Sequence, residues 1–195
     1  MRLMEDMIRN EGKVLPGGVL KVGSFLNQRI DTDLLRETGQ EIARLYAGAG
    51  VNKVLTIEAS GIAIAAAAAL EMGVPMVFAK KHRSSNVEGD VVTAVVHSFT
   101  HGEDCTVVVS REYLGPGDRV LLVDDFLANG AALEGLISLT EQAGAEVAGA
   151  AIAVEKCFQG GGEALRKKGY RIESLARIAS MDENSVVFVR DGEAP

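Results

Sequence analysis

The sequence predicts an α/β fold built on an open, mostly parallel, twisted sheet with helices on both faces. Three stretches carry that expectation. Residues 120–123 (Val-Leu-Leu-Val) are an apolar run that ends in Asp124-Asp125, then Phe126-Leu127 and the small-residue stretch Ala128-Asn129-Gly130-Ala131-Ala132, before a helical pattern. That is the profile of a buried parallel strand opening through a loop into a helix N-terminus. Residues 54–57, the turn 58–61, the Ala-rich run 62–72 and residues 74–78 give strand, helix and strand in order, hence a right-handed parallel crossover. Residues 147–154 form a third, almost wholly apolar run.

The remaining elements follow along the chain. Leu3, Met4, Met7 and Ile8 recur at helical spacing and predict a short amphipathic helix, broken by Pro16-Gly17-Gly18. Residues 19–26 are short and mixed and read as a strand. Asp31-Thr32 is a helix start, and Leu34, Leu35, Ile42 and Leu45 mark one face of a helix ending near residues 48–50. The run of alanines at 65–69 reads as a closely packed helix. Residues 80–90 are polar and basic, hence a loop. Residues 91–98 and 105–110 are β-rich runs around a polar segment and predict a hairpin. The acid-ended strand is expected over 119–124, with a helix from about 130 to 143. Gly160-Gly161-Gly162 reads as a turn before a short helix; it lacks the Lys-Ser/Thr of a P-loop. Residues 172–175 and 186–189 are expected as short late strands.

Composition bounds the function. A chain of 195 residues suits one domain, and 47% hydrophobic residues supply a sizeable core. The formal net charge of −7 argues against nonspecific nucleic-acid binding, which relies on a basic surface. Cys105 and Cys157 have neither disulfide-framework nor zinc-site spacing, which fits a reducing cytoplasm. Glu5, Asp6 and Arg9 interrupt any signal-peptide core. The longest apolar run, 62–70, is too short to span a bilayer. No membrane partner is therefore expected.

In an open parallel sheet, ligands bind beyond the carboxyl ends of the strands. Three such ends carry chemistry. Loop amides at the N-terminus of the helix after Asp124-Asp125 suit a phosphate. The two carboxylates would repel a bare phosphate, so they imply a metal ion, ribose hydroxyls or a developing cation in the site. Ala59-Ser60-Gly61 lets an anion approach backbone amides; the alternative is an ordinary turn with Ser60 as N-cap. At Glu155-Lys156, the lysine would enter the same crevice as a donor to a carbonyl, or else pair on the surface with Glu155. Lys80-Lys81-His82-Arg83 is the one dense basic cluster, either a closing flap or a solvated loop. Three scattered histidines support no catalytic triad.

The strand, two acids and small-residue loop resemble the phosphoribosyl-pyrophosphate (PRPP) motif of type I phosphoribosyltransferases. The resemblance implies that family's fold. It also implies that Asp124 and Asp125 face the ribose hydroxyls as catalytic acids, and that the amides of Ala128, Asn129, Gly130, Ala131 and Ala132 hold the 5-phosphate. Ala59, Ser60 and Gly61 would form the pyrophosphate loop, and the segment at 80–90 a flap. Many members carry Thr where this chain has Asn129 and Thr or Ser where it has Ala132, so two hydroxyl contacts are missing here. Longer strings are similar to the bacterial xanthine phosphoribosyltransferases: 19–22, 24–27, 56–63, 77–82, 124–130 and 173–178. By that resemblance Leu20, Asn27 and Lys156 contact xanthine, and the substrates are xanthine and PRPP, in purine salvage. The same resemblance implies Mg²⁺ carried mainly by PRPP, with no separate protein metal site, and a homodimer. The whole chain would be one phosphoribosyltransferase domain, with residues of about 1–30 and 156–195 forming a small cap. Two alternatives remain: another purine as acceptor (guanine, hypoxanthine or adenine), or a regulator that senses PRPP without catalysis.

Overall fold

The computed structural model describes residues 1–81, 89–97 and 104–190. Most of the expected flap, including His82 and Arg83, lies outside the described residues. The chain runs α1 (Arg2–Glu11), β1 (Lys13–Leu15), β2 (Val19–Lys21), α2 (Thr32–Leu45), β3 (Lys53–Ile57), α3 (Gly61–Met72), β4 (Met76–Ala79), β5 (Val91–His97), β6 (Asp104–Ser110), β7 (Arg119–Leu127), α4 (Ala131–Gln142), β8 (Glu146–Lys156), a 3₁₀ turn (Cys157–Gln159), α5 (Gly161–Lys167), β9 (Ile172–Asp182) and β10 (Ser185–Phe188).

Six strands form the central sheet in the order β10-β9-β8-β7-β3-β4. All neighbours are parallel except β10, which lies antiparallel on β9. From β3 the chain steps outward to β4 and later returns to the other side of β3 as β7. The sheet therefore switches direction between β3 and β7, the place where open α/β sheets leave a crevice beyond their strand ends.

Two apolar clusters cover the two faces. On one side Leu34, Ile42 and Tyr46, with Ile64, Ala65 and Ala68 of α3, pack on Leu121, Val123, Ala151 and Ala153. On the other, Leu133, Leu136 and Leu139 of α4, Val92 and Val107 of the β5–β6 hairpin and Leu165 of α5 pack on Leu55, Leu122 and Ile152. The alanine run serves close helix packing: a Cβ on Gly39 of α2 would stand 2.8 Å from the backbone of Ala67. The expected capping of α2 holds, with Asp31 Oδ1 accepting from the amides of Asp33 (3.1 Å) and Leu34 (2.9 Å).

Three expectations need correction. Residues 19–26 are a strand only over Val19–Lys21. Beyond it the chain turns back, the carbonyl of Val22 accepting from the amides of Phe25 (3.2 Å) and Leu26 (2.9 Å), because turning buries both side chains. The strand expected to stop at Asp124 continues to Leu127, since pairing with β8 continues as Phe126↔Val154 and Leu127↔Glu155. The first late strand is longer than the local pattern gave: β9 covers Ile172–Asp182, held by β8 along one edge up to Ile178 and by β10 along the other from Ile178.

Candidate active site at the β3–β7 switch point

The two acids sit where β7 loses its alternation. Leu121 and Val123 face one cluster, yet Phe126 joins that same face and Leu127 the opposite one. The side-chain period thus slips by one across Asp124-Asp125. Each acid holds the next amide: Asp124 Oδ1 accepts from Asp125 N at 2.9 Å, and Asp125 Oδ1 from Phe126 N at 3.1 Å. Asp124 is only 8% exposed. Burial first, then the neighbouring Asp125 charge, push its carboxyl well above the usual aspartate range, with Lys81 pulling the other way. A site of this kind favours hydroxyl donors or positive charge brought in by a ligand.

The β3 loop closes against the same acids. A Cβ on Gly61 would stand 2.2 Å from Thr56 Oγ1 and 3.3 Å from Asp124 Oδ1, so only glycine lets the start of α3 lie this close to the acids. Ser60 occupies the N-cap position but makes no side-chain cap bond, against the ordinary N-cap alternative. The peptide joining Glu58 and Ala59 is cis. Glu58 Oε1 accepts from Lys81 N at 2.7 Å, and Lys80 bridges to Val108 of β6.

After β7, Ala128 and Asn129 lead into Gly130 at φ 94° and then α4. Asn129 Oδ1 accepts from Ala131 N at 3.1 Å. The first intrahelical bond runs from Glu134 N to Gly130 O, so the amides before it point out of the helix N-terminus, where they and the helix dipole attract an anion. Such a loop needs no hydroxyl to hold a phosphate.

Two of the residues expected on the base side, Asn27 and Lys156, lie beside the end of β7. Asn27 Nδ2 donates to Asp125 Oδ2 at 3.2 Å. Lys156 Nζ stands 5.6 Å from the centre of the Phe126 ring and donates to the Gly18 carbonyl at 2.9 Å. Burial holds the Lys156 ammonium below its usual pKa. Leu20 is buried in β2, within the first apolar cluster. The surface pairing of Lys156 with Glu155 is not formed. Glu155, 1% exposed, faces the other way and binds Arg166 through both oxygens at 2.7 Å, with Ser174 Oγ at 2.6 Å and Arg177 Nε at 3.6 Å. Burial raises this carboxyl, but the hydrogen bonds from Arg166 and Ser174 and the charges of Arg166 and Arg177 outweigh it and keep it below the usual range.

Sequence reasoning missed what Gly161 and Gly162 do. A Cβ on Gly161 would stand 2.4–2.5 Å from Asn129 C, Ala128 O and Gly130 N, and one on Gly162 2.0 Å from Glu155 Oε1. No sequence signal separates such close approach from an ordinary turn. Among the described residues, no group of three or more His, Cys, Asp or Glu side chains is placed to hold a metal. No helix there is long and apolar enough to cross a membrane.

The chain is similar to known proteins along its whole length. Residues 23–191 match the family model described as phosphoribosyl transferase domain. A xanthine phosphoribosyltransferase of Bacillus cereus (strain Q1) is 50% identical over 194 residues, covering 100% of this chain and 98% of the relative; one of Bacillus anthracis matches equally. Among solved structures, the Giardia lamblia APRTase complexed with 9-deazaadenine superposes with a TM-score of 0.74 at 25% identity, over 88% of this chain and 96% of that one. An adenine phosphoribosyl transferase from Trypanosoma brucei has a TM-score of 0.73 at 18% identity, over 90% and 79% of the two chains, a likeness of fold alone. With a family model covering most of its length and relatives matching it from end to end, the chain belongs to the type I phosphoribosyltransferase family.

Proposed function

We propose that the protein transfers ribose 5-phosphate from PRPP to N9 of xanthine, yielding xanthosine 5′-monophosphate and pyrophosphate in purine salvage. The contact between Asn27 and Asp125 carries this reading, because it puts an amide donor within reach of the acid pair beside a phosphate-type loop. The 50% identity to xanthine phosphoribosyltransferases over the whole chain supports the choice of base.

The reaction breaks the ribose C1–O bond to pyrophosphate and forms a C1–N9 bond, with loss of the N9 proton. Positive charge builds on the ribose ring between the two events. Asp124 and Asp125 hold the ribose hydroxyls and supply negative potential where that charge develops, a preorganised stabilisation that costs no rearrangement at the moment of reaction. The amides of Ala128, Asn129, Gly130, Ala131 and Ala132 bind the 5-phosphate, and those of Ala59, Ser60 and Gly61 the pyrophosphate. Mg²⁺ would be carried mainly by PRPP rather than by a separate protein site, and would neutralise charge on the pyrophosphate. Lys156 keeps donors to spare beyond its bond to Gly18 and directs one to the base O6, while Asn27 donates to O2 and Leu20 supports the apolar edge of the base site.

The same reading takes the chain as one domain, with about 1–30 and 156–195 capping the base site. The bond from Lys156 to Gly18 supports that cap. It places a homodimer in the cytoplasm: the free thiols Cys105 and Cys157 support the compartment, and the family resemblance supports the dimer, which light scattering would measure. The adenine enzymes of similar fold raise the rival base. Adenine carries an amino group at C6, which faces a lysine donor poorly. Steady-state turnover with Mg²⁺–PRPP and xanthine, guanine, hypoxanthine or adenine tests the proposal. Xanthine should give the highest kcat/KM; a preference for adenine, or no nucleotide from any base, would count against it.

A further inference from the structure

The face of β8 turned away from Lys156 carries a second construction. Glu155 is enclosed by Arg166 through two 2.7 Å bonds, by Ser174 at 2.6 Å and by Arg177 at 3.6 Å. Arg166 also donates to the Ile172 carbonyl, from Nη2 at 3.2 Å and Nε at 3.4 Å. The last turn of α5 is thus tied to the ends of β8 and β9 by a fork-on-fork ion pair, a geometry that fixes orientation as well as distance. The first turn of α5 lies flush on the loop that follows β7. Gly161 N donates to Ala128 O at 3.2 Å, and Gly130 in turn has Leu165 Cδ1 and Gly161 Cα about its Cβ position at 3.3 and 3.5 Å. Gly162 is bare where Glu155 passes.

We infer that Glu155 and Gly161 are positioning residues for the phosphate loop: the Glu155–Arg166 clamp sets α5, and the bare Gly161 backbone of α5 sets Ala128, Asn129 and Gly130. Neither residue touches substrate. Because Glu155 directly precedes Lys156, one carboxylate fixes both the strand end that carries the base donor and the helix that backs the phosphate loop. A Cβ at position 161 meets backbone atoms, which cannot rotate aside, so the loop itself must move. The inference rests on the proposed function only for the identity of the phosphate.

The test uses Glu155→Gln, Gly161→Ala and Arg166→Lys in the full chain. Binding of ribose 5-phosphate by titration calorimetry reads the loop directly, whichever base the enzyme accepts. Gly161→Ala and Glu155→Gln should weaken ribose 5-phosphate at least tenfold and raise the KM for PRPP by a similar factor, with kcat changed less. Arg166→Lys keeps the charge but loses the fork, and should fall between them and the parent. Circular dichroism confirms folding; should Gly161→Ala fail to fold, the other two variants decide. Folded variants with unchanged ribose 5-phosphate affinity would overturn the inference. So would equal losses for PRPP and base that follow the drop in Tm, since that marks a merely structural role. If the parent binds ribose 5-phosphate but does not turn over xanthine, the functional reading fails and the positioning result still stands.

Discussion

Asn27 Nδ2 and Asp125 Oδ2 are hydrogen-bonded at 3.2 Å across 98 positions of sequence. One belongs to the turn after β2, the other to the slipped end of β7. Under the proposed roles, the base donor and the ribose acceptor satisfy each other while the site is free of ligand. Ribose hydroxyls arriving at Asp125 release the Asn27 amide for the base, so the two substrates share one local switch in hydrogen bonding.

Asp125→Asn should keep the fold and lose most activity. Removing one charge from a preorganised site at a developing cation costs on the order of 10²-fold or more in kcat. Circular dichroism and turnover on the same sample check it; near-parental turnover by folded protein would sink the role of the acid.

Asp124→Asn should stabilise the ligand-free protein while destroying activity. The Asp124 carboxyl is raised in the folded state by burial and by Asp125. The native state therefore holds a proton that the unfolded chain has released, and stability falls as pH rises from the usual aspartate range up through the raised value. Above that window the penalty is full, and asparagine removes it. A gain of about 2–4 °C in Tm is expected for each kcal/mol relieved. Thermal melts of both proteins from pH 4 to 8 should diverge with rising pH; parallel curves would contradict the buried-charge account.

Lys156→Ala should reduce xanthine and guanine use alike. Both bases carry a carbonyl at C6, and a charged hydrogen bond is worth about 1.5–3 kcal/mol, roughly 10- to 150-fold. The ratio of kcat/KM for the two bases should stay within about threefold of the parent value, and a large change in that ratio would move Lys156 away from O6.

Much of this was readable from the chain. The change from Val120–Val123 to Asp124-Asp125 marks a strand end with chemistry because buried parallel strands are apolar and packing gives no reason for paired acids there. Asp31 announced α2 through its capping chemistry. The misread parts depend on distant partners. β7 continues past its acids because β8 offers pairing to Glu155. β9 extends to Asp182 because β8 pairs with it as far as Ile178 and β10 from Ile178 to Asp182. The work of Gly161 and Gly162 is invisible in sequence because a glycine that clears a neighbouring backbone looks like one that makes a turn. In the sequence Glu155 reads only as a surface partner for Lys156, since strand alternation separates the two only once the face of the sheet is known.

The most direct test of the central claim, a xanthine site built by Asn27 beside Asp125 and Lys156, is the ratio of kcat/KM for xanthine to that for guanine in the parent and in Asn27→Ala. Xanthine has a carbonyl at position 2 where guanine has an amino group, so a donor at Asn27 favours xanthine. Losing it leaves that carbonyl unpaired at about 1–3 kcal/mol, roughly 5- to 150-fold. The account predicts that the ratio falls by such a factor in Asn27→Ala. An unchanged ratio in active, folded variant would contradict it.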